Sequence, residues 1–215
     1  MNKLIRLMTT AERNLYQSLR LKVLNSSTTL QELERIATNK SLDVKIRAFV
    51  AKSYRCPAHL FEKLASDHPH IRAAVASNTY CPQHVLFNLS KDPDPKVRRN
   101  IVRNESTPVS TLMQMALEEK DELILSELAR DHNERLPPLV FDVLYKRDSH
   151  QINWILCIKK RLPATIANFL ADDSDVGVRR RTLIYQMKKL SSETFARLAK
   201  DPDPAIQRII KRSKP

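Results

Sequence analysis

CPAHLFEKLASDHPHIRAAVASN, residues 56–78, is followed almost at once by CPQHVLFNLSKDPDPKVRRNIVRN, residues 81–104, and the two segments carry nearly the same pattern. Cys56 recurs as Cys81, so the period is 25 residues at the start (81 − 56), and it is 26 residues between the closing asparagines (104 − 78). A period of this length is typical of solenoids, in which each unit buries its apolar face against its neighbours. The segment therefore predicts a repeat protein.

Seven units fit this template, and they begin near residues 28, 56, 81, 107, 136, 162 and 190. The first helix of five units opens on a proline, which suits the first helical position because that N–H has no intrahelical partner. These prolines are Pro57, Pro82, Pro108, Pro137 and Pro163. Two positions three residues apart on one helix face are then predicted to be core: Leu33 with Ile36, Phe61 with Leu64, Leu86 with Leu89, Leu112 with Met115, Phe141 with Leu144, Ala167 with Leu170, and Phe195 with Leu198.

The second helix of each unit opens on a residue that can cap it, and most of these residues are preferred N-cap types. The predicted caps are Asp43, His68, Asp94, Asp121, Ser149, Asp175 and Asp203. Three residues after the cap every unit has Ile or Val, namely Ile46, Ile71, Val97, Ile124, Ile152, Val178 and Ile206. This pattern predicts one buried residue per unit at the same place in each second helix.

Residues 1–27 do not follow the template. Thr9 and Glu12 have capping-box spacing, and Leu15, Leu19 and Val23 recur at helical spacing, so this segment is predicted to be a single helix that caps the array over residues 28–215. The chain has one Gly, which argues against a strand-rich fold with Gly-containing turns. We therefore expect an all-α solenoid of about seven two-helix repeats.

The repeated Cys-Pro, Leu-Ala, Asp-Pro, Val/Ile-Arg and Val-Ala elements resemble the leucine-rich repeat variant family from about Thr28 onward, most closely in the second and third units. The Asp-Pro-Asp-Pro segments at Asp92 and Asp201 are similar to HEAT repeats as well. The resemblance implies a right-handed superhelix whose second helices are shorter and sometimes 3₁₀, and no definite activity. One family member has an N-terminal iron–sulfur cluster, but no cysteine precedes Cys56, so no cofactor is expected.

The net charge of +13 indicates an acidic partner, such as DNA, RNA or an acidic protein segment. Residues 151–215 carry 14 Lys and Arg against 6 Asp and Glu, so the anionic ligand is expected toward that end. No apolar run approaches the roughly 20 residues that cross a bilayer, and no signal peptide is visible. Three cysteines do not form a disulfide framework, so a cytoplasmic protein with reduced thiols and no membrane partner is expected.

The arginine that follows the repeated Ile or Val occurs as Arg47, Arg72, Arg98 and Arg179, and we interpret it as a structural bridge to loop Asp or carbonyl groups of the neighbouring unit. The positions one residue and one turn further on are predicted to align as a basic stripe that binds a polyanion. The stripe comprises Lys52, Arg99, Arg103, Arg130, Arg180, Arg208 and Arg212; Lys159, Lys160 and Lys188 widen it, and Trp154 supplies stacking. A merely solvated basic face fits the same pattern.

Catalytic signals are weak. The six histidines (59, 68, 70, 84, 132 and 150) lack metal-ligand spacing, and Cys56 and Cys81 are predicted to lie too far apart for a disulfide. The leading hypothesis is a non-enzymatic protein that binds nucleic acid or another polyanion, and the second is a scaffold for an acidic protein. A third hypothesis is a HEAT-like alkylpurine DNA glycosylase, in which Trp154 would act near Asp148 or Glu127.

Overall fold

The computed structural model describes residues 10–131 and 136–213, so the predicted cap Thr9 lies outside the described residues. The described residues form fifteen α-helices and one short 3₁₀ segment, and they contain no strand. The prediction of an all-α chain is confirmed. Within the same residues, no helix combines the length and the apolar character that a membrane span requires.

The chain divides into two compact units between Pro108 and Val109. The first unit holds α1 (Thr10–Leu24), α2 (Leu30–Thr38), α3 (Val44–Lys52), α4 (Ala58–Leu64), α5 (Pro69–Ala76), α6 (Gln83–Leu89) and α7 (Pro95–Arg103). Here α1 packs on α3, and the second helices α3, α5 and α7 pack on one another in chain order. The first helices α2 and α4 also pack together, so the unit has a layer of first helices and a layer of second helices.

The second unit holds α8 (Val109–Glu118), α9 (Glu122–Asp131), α10 (Pro138–Tyr145), α11 (His150–Leu156), α12 (Ala164–Leu170), α13 (Val176–Gln186), a 3₁₀ segment (Met187–Lys189), α14 (Ser192–Leu198) and α15 (Pro204–Ser213). Its second helices α9, α11, α13 and α15 pack in chain order, and so do the first helices α8, α10 and α12. The same two layers therefore occur in both units.

Each second helix begins directly after its predicted cap, and each cap side chain accepts a backbone N–H of the first turn, as Asp43 accepts from Lys45 at 2.7 Å. The first helices begin one residue later than predicted, because Pro57, Pro82 and Pro163 lie just before the first helical residue. The second helices are α-helical and 7 to 11 residues long, so the shorter or 3₁₀ helices that the resemblance implied are not found.

The predicted core is confirmed in both units. The residue three positions after each cap is buried in all seven second helices: Ile46, Ile71, Val97, Ile124, Ile152, Val178 and Ile206. In the first helices the two predicted positions are buried as well, except that Phe195 is half-buried. Burial of one branched residue per helix removes comparable apolar surface from water at each unit, which explains why the spacing is so regular.

The repeated arginine is a structural bridge to another unit at Arg47, Arg72 and Arg179, as predicted, and Arg98 donates to the Asp92 and Pro93 carbonyls of its own unit. Arg47 donates to Asp67 at 2.6 Å, and Arg72 donates to both oxygens of Asp92 at 2.6 and 2.8 Å. In the second unit Arg179 pairs with Asp201 at 2.7 and 3.1 Å. Each pair joins one second helix to the loop that precedes the next, and little solvent reaches the charges.

Candidate polyanion-binding surface

In the first unit Lys52 and Arg103 are the last residues of α3 and α7, and Arg99 lies in the middle of α7. Lys52 and Arg103 are exposed, whereas Arg99 is half-buried. Ser77, directly after α5, occupies the place that Lys52 and Arg103 hold at the two neighbouring second helices. The two exposed cations at these helix ends are thus separated by an uncharged residue, and Arg72 within α5 is paired with Asp92.

In the second unit the predicted stripe is interrupted. Arg130 on α9 and Arg212 on α15 are exposed at equivalent places. At the same place in the two repeats between them are Ile158, in the turn after α11, and Ile184, on α13, which are 41% and 55% exposed. The surface of this unit is therefore mixed, with apolar side chains between the cations, rather than a continuous row of charge.

Arg180 and Arg208 differ although they occupy equivalent places. Arg180 makes two hydrogen bonds to the carboxylate of Asp203, through Nε at 3.0 Å and through Nη2, and its side chain is 44% exposed. The hydrogen bond from Arg180 lowers the pKa of Asp203 to about 2. Arg208 is exposed, and its Nε donates to the Pro204 carbonyl of its own helix at 3.2 Å. The charge of Arg180 is partly compensated by its partner.

Lys159 does not belong to this surface, which corrects the prediction. Its side chain is buried, with 6% of the residue exposed, and Nζ donates to the backbone carbonyl of Arg130 at 2.6 Å. Asn78 and Asn104 make the equivalent bonds in the first unit, to the carbonyls of Ala51 and Ala76. Lys159 therefore caps the end of the preceding second helix, where a cation is also favoured by the helix dipole.

Trp154 lies in a stack of rings and a cation on the second-helix layer. The Arg181 guanidinium lies 4.3 Å from the centre of the Trp154 ring system and 5.7 Å from the centre of the Tyr185 ring. Trp154 is 39% exposed and Tyr185 is 58% exposed, so both rings also present area to solvent. Such an arrangement can stack on flat groups and holds a cation beside them.

Gly177 makes room for this stack. A Cβ at this position would lie 2.6 Å from Cζ3 of Trp154, which is closer than real Cβ contacts come. Gly177 is the chain's one Gly, and it lies one turn before Arg181 on α13. The residue permits the indole of α11 to lie directly against the backbone of α13.

Next to Tyr185 an open cleft of about 440 Å³ is formed after the end of α13. It is lined by Lys160, Ile184, Tyr185, Gln186, Met187, Lys188 and Lys189. Lys160 and Lys188 are exposed. Lys189 instead donates from Nζ to the Lys160 and Leu162 carbonyls at 2.6 and 2.9 Å, and burial lowers the pKa of its ammonium group.

Arg181 and Tyr185 were missed as candidate site residues. The signal that identifies them is their spacing: residues 177, 181 and 185 are four apart and lie along one side of α13. The second signal is the small residue Gly177, which lies in the second helix that follows the helix of Trp154, the chain's one Trp.

The described residues give no support to metal or thiol chemistry. Among them, no group of three His, Cys, Asp or Glu side chains could hold a metal ion, and His132 lies outside them. The three cysteines are free and buried, and burial raises the pKa of Cys56 and of Cys81 to about 12. These groups are therefore thiols, and not reactive thiolates, near neutral pH.

The two carboxylates of the glycosylase hypothesis lie in different surroundings. Glu127 is buried in α9, whereas Asp148 is exposed in the turn before α11, with a left-handed φ of 50°. Trp154, which that hypothesis places beside one of them, has Arg181 against its ring.

No protein-family model, no curated protein and no solved structure matches this chain. The chemistry of the surface on α11 and α13 is therefore the basis for a functional proposal.

Proposed function

We propose that this chain is a non-enzymatic binding protein whose second unit engages nucleic acid through an aromatic–cation surface, defined as Trp154, Arg181, Tyr185, Lys160 and Lys188. The observation that carries the proposal is the Arg181 guanidinium, which lies 4.3 Å from the Trp154 ring centre and 5.7 Å from the Tyr185 ring centre. A polyanion without aromatic groups could be bound by cationic side chains alone. Two half-exposed rings around a guanidinium favour a polyanion that also presents flat, stackable groups, and nucleic acid is such a ligand.

The surroundings of the stack support the same proposal. Arg208 and Arg212 are exposed on α15, which packs beside α13, and Lys160 and Lys188 lie at the cleft. Cations placed around the rings would neutralise backbone phosphates, while the rings accept bases of any sequence. We therefore expect little sequence preference and a steep loss of affinity with salt.

The architecture in this proposal is a right-handed superhelical solenoid of about seven repeats, similar to the leucine-rich repeat variant and HEAT families, in the cytoplasm. Packing of consecutive second helices within each unit supports it, as do the seven caps and the buried ladder. The second helices are α-helical throughout the described residues, which favours the HEAT-like form of the repeat.

The test is a titration of fluorescent single-stranded and double-stranded oligonucleotides at several salt concentrations. Trp154 is the chain's one Trp, so quenching of its emission reports on the stack directly. Tyr185→Ala is compared with Tyr80→Ala, because Tyr80 is a similarly exposed tyrosine in the first unit. We expect Tyr185→Ala to weaken binding by at least about fivefold, since a base–aromatic stack contributes about 1–3 kcal/mol, and Tyr80→Ala to leave affinity unchanged. Equal affinities for the two variants would overturn the proposal.

A second candidate function is supported by Ile158 and Ile184. These exposed apolar side chains lie between Arg130 and Arg212, and this combination of apolar and basic groups suits an acidic amphipathic helix of a protein partner. The titration separates the two functions. Absence of oligonucleotide binding at low salt would give the protein-interaction scaffold first place. The third hypothesis, a DNA glycosylase, predicts excision of methylated bases that Asp148→Asn abolishes.

A further inference from the structure

The cleft beside Tyr185 contains a buried hydrogen-bond acceptor without a partner. Gln186 is 3% exposed, and its Nε2 donates to the carbonyls of Cys157 and Lys159 at 2.7 and 3.1 Å. These two bonds fix the orientation of the amide, because the opposite orientation would place Oε1 against two carbonyl oxygens. Its Oε1 is buried and has no hydrogen-bond partner in the described part of the chain.

Related side chains in the first unit are fully paired. Among the described residues, five buried side-chain atoms lack a partner, and of these only Gln186 Oε1 belongs to a residue that lines this cleft. Asn78 Oδ1 accepts the Tyr80 N–H at 2.8 Å, and Asn104 Oδ1 accepts the Ser106 N–H at 2.9 Å. After Gln186 the chain instead enters the 3₁₀ segment Met187–Lys189, and no such bond forms. Most buried polar groups in proteins have a partner, so an orphaned acceptor in the wall of a cleft points to a ligand.

The groups that line the cleft define the chemistry of that ligand. Oε1 requires an N–H or O–H donor, and Tyr185 offers an exposed aromatic face. Lys160 and Lys188 offer exposed ammonium groups at the same cleft. A ligand that matches all three has a donor on a flat ring and an anionic group attached to it.

We infer that the cleft binds one unpaired nucleotide, whose base stacks on Tyr185, donates from its Watson–Crick edge to Gln186 Oε1 and places its phosphate near Lys160 and Lys188. In a duplex the N–H groups of that edge are already paired, so the cleft selects single strands. This inference rests on the proposed function and narrows its ligand from polyanions in general to single-stranded nucleic acid.

The test compares two tetranucleotides with wild-type protein by quenching of Trp154 and by fluorescence anisotropy. One is a thymidine tetramer, and the other carries N3-methylthymine throughout, which removes the N–H donor but keeps the charge and the stacking face. Loss of one hydrogen bond is expected to weaken binding roughly three- to tenfold. A duplex long enough to stay paired is expected to bind more weakly than a single thymidine strand of the same length.

Gln186→Met is the matched variant, because it has a similar volume and no acceptor. We expect the variant to bind both tetramers equally. Gln186→Met also removes the two hydrogen bonds that Nε2 donates, so thermal unfolding checks whether the variant folds. If it does not fold, the comparison of the two tetramers with wild-type protein decides whether Oε1 accepts from the base.

The outcomes separate the two proposals. Salt-dependent binding of both tetramers with equal affinity would leave the proposed function intact and overturn the inference, since water alone would then satisfy Oε1. Absence of binding by every oligonucleotide at low salt would overturn both. A three- to tenfold preference for the unmethylated tetramer that Gln186→Met removes would establish the nucleotide site.

Discussion

Gly177 is the residue at which one added carbon atom has the largest expected effect on the aromatic–cation surface. A Cβ there would lie 2.6 Å from Trp154 Cζ3 and 2.8 Å from Asp175 Oδ1. Gly177→Ala must therefore displace the indole, and we expect a shifted Trp154 emission maximum and weaker oligonucleotide binding. The measurements are a fluorescence spectrum and the titration described above.

A Trp154→Leu background supplies the control for Gly177→Ala. Without the indole, the added Cβ still meets Asp175 Oδ1, the N-cap oxygen of α13, so the loss of stability should be small. With the indole present, the same change should be clearly more destabilising, because the Cβ also meets Trp154. Equal effects of Gly177→Ala in both backgrounds, measured by urea unfolding, would show that Trp154 does not pack on this position.

Lys159 and Lys160 are adjacent in the sequence, but we expect their replacement to affect different properties: stability for Lys159 and oligonucleotide affinity for Lys160. Lys159→Met removes the donor that satisfies the Arg130 carbonyl, so we expect a loss of about 1–3 kcal/mol in the free energy of unfolding and unchanged oligonucleotide affinity. Lys160→Met, at an exposed lysine of the cleft, should weaken binding and leave stability within about 0.5 kcal/mol. Urea unfolding and oligonucleotide titration of both variants check this. A large stability loss for Lys160→Met, or a large affinity loss for Lys159→Met, would contradict the assignment.

These residues show why the sequence predicts the site only in part. The basic cluster at 159–161 is visible from composition, but the pattern treats its lysines alike. Which of them turns inward depends on the carbonyl left over at the end of the preceding second helix, and that is a tertiary feature. The stack of Arg181 on Trp154 depends in the same way on Gly177, which the repeat template does not contain.

At the scale of elements, the Arg–Asp pairs between a second helix and the next loop should make stability depend on pH. The hydrogen bonds from Arg179 lower the pKa of Asp201, and those from Arg180 lower the pKa of Asp203 to about 2. A carboxyl group whose pKa is lower in the folded than in the unfolded state stabilises the fold above its unfolded pKa of about 3.9. That stabilisation is lost as the pH falls from about 4 to about 2.

Asp201→Asn tests this dependence, because its carboxylate is almost fully covered and pairs with Arg179. We expect a loss of about 1–3 kcal/mol at pH 7, and a difference from wild type that shrinks as the pH falls below about 4. Asp142→Asn is the control, since Asp142 forms a largely exposed pair with Lys146 and such pairs contribute about 1 kcal/mol or less. A difference that stays constant down to pH 2 in chemical unfolding would contradict the proposed linkage.

The helices themselves were predicted closely, because local signals determine where they begin. All seven second helices start after the predicted cap, since a side-chain oxygen or nitrogen at that position satisfies an N–H that otherwise has no partner. The prolines were predicted to be the first helical residues of the first helices, and they lie one residue before the helix instead, a difference of the size that helix-end definitions give. The 3₁₀ segment after α13 has no signal in the repeat, and at this departure Gln186 Oε1 has no backbone N–H to accept, unlike Asn78 Oδ1 and Asn104 Oδ1.

At the scale of the whole molecule, the net charge of +13 attracts any polyanion, so affinity by itself does not locate the site. To locate the binding site, we compare variants that change the total charge by the same amount at different places on the molecule. Lys188 and Arg208 are exposed in the second unit, and Lys52 and Lys63 are exposed in the first. Each replacement by Glu changes the charge by two, so the two double variants both fall from +13 to +9.

We expect Lys188→Glu with Arg208→Glu to reduce both affinity and salt dependence, because phosphate contacts are lost at the aromatic–cation surface and beside it. The slope of log affinity against log salt should fall by up to roughly 0.7–0.9 for each lost contact. Lys52→Glu with Lys63→Glu should weaken binding only through the total charge and should keep the wild-type slope. Arg180 is left unchanged in both, since a glutamate there would face Asp203 and disturb the fold. Oligonucleotide titrations between low and physiological salt measure both quantities. Equal slopes for the two double variants would mean that the basic surface of the second unit is only solvated, and the apolar face around Ile158 and Ile184 would then be the better candidate for a binding site.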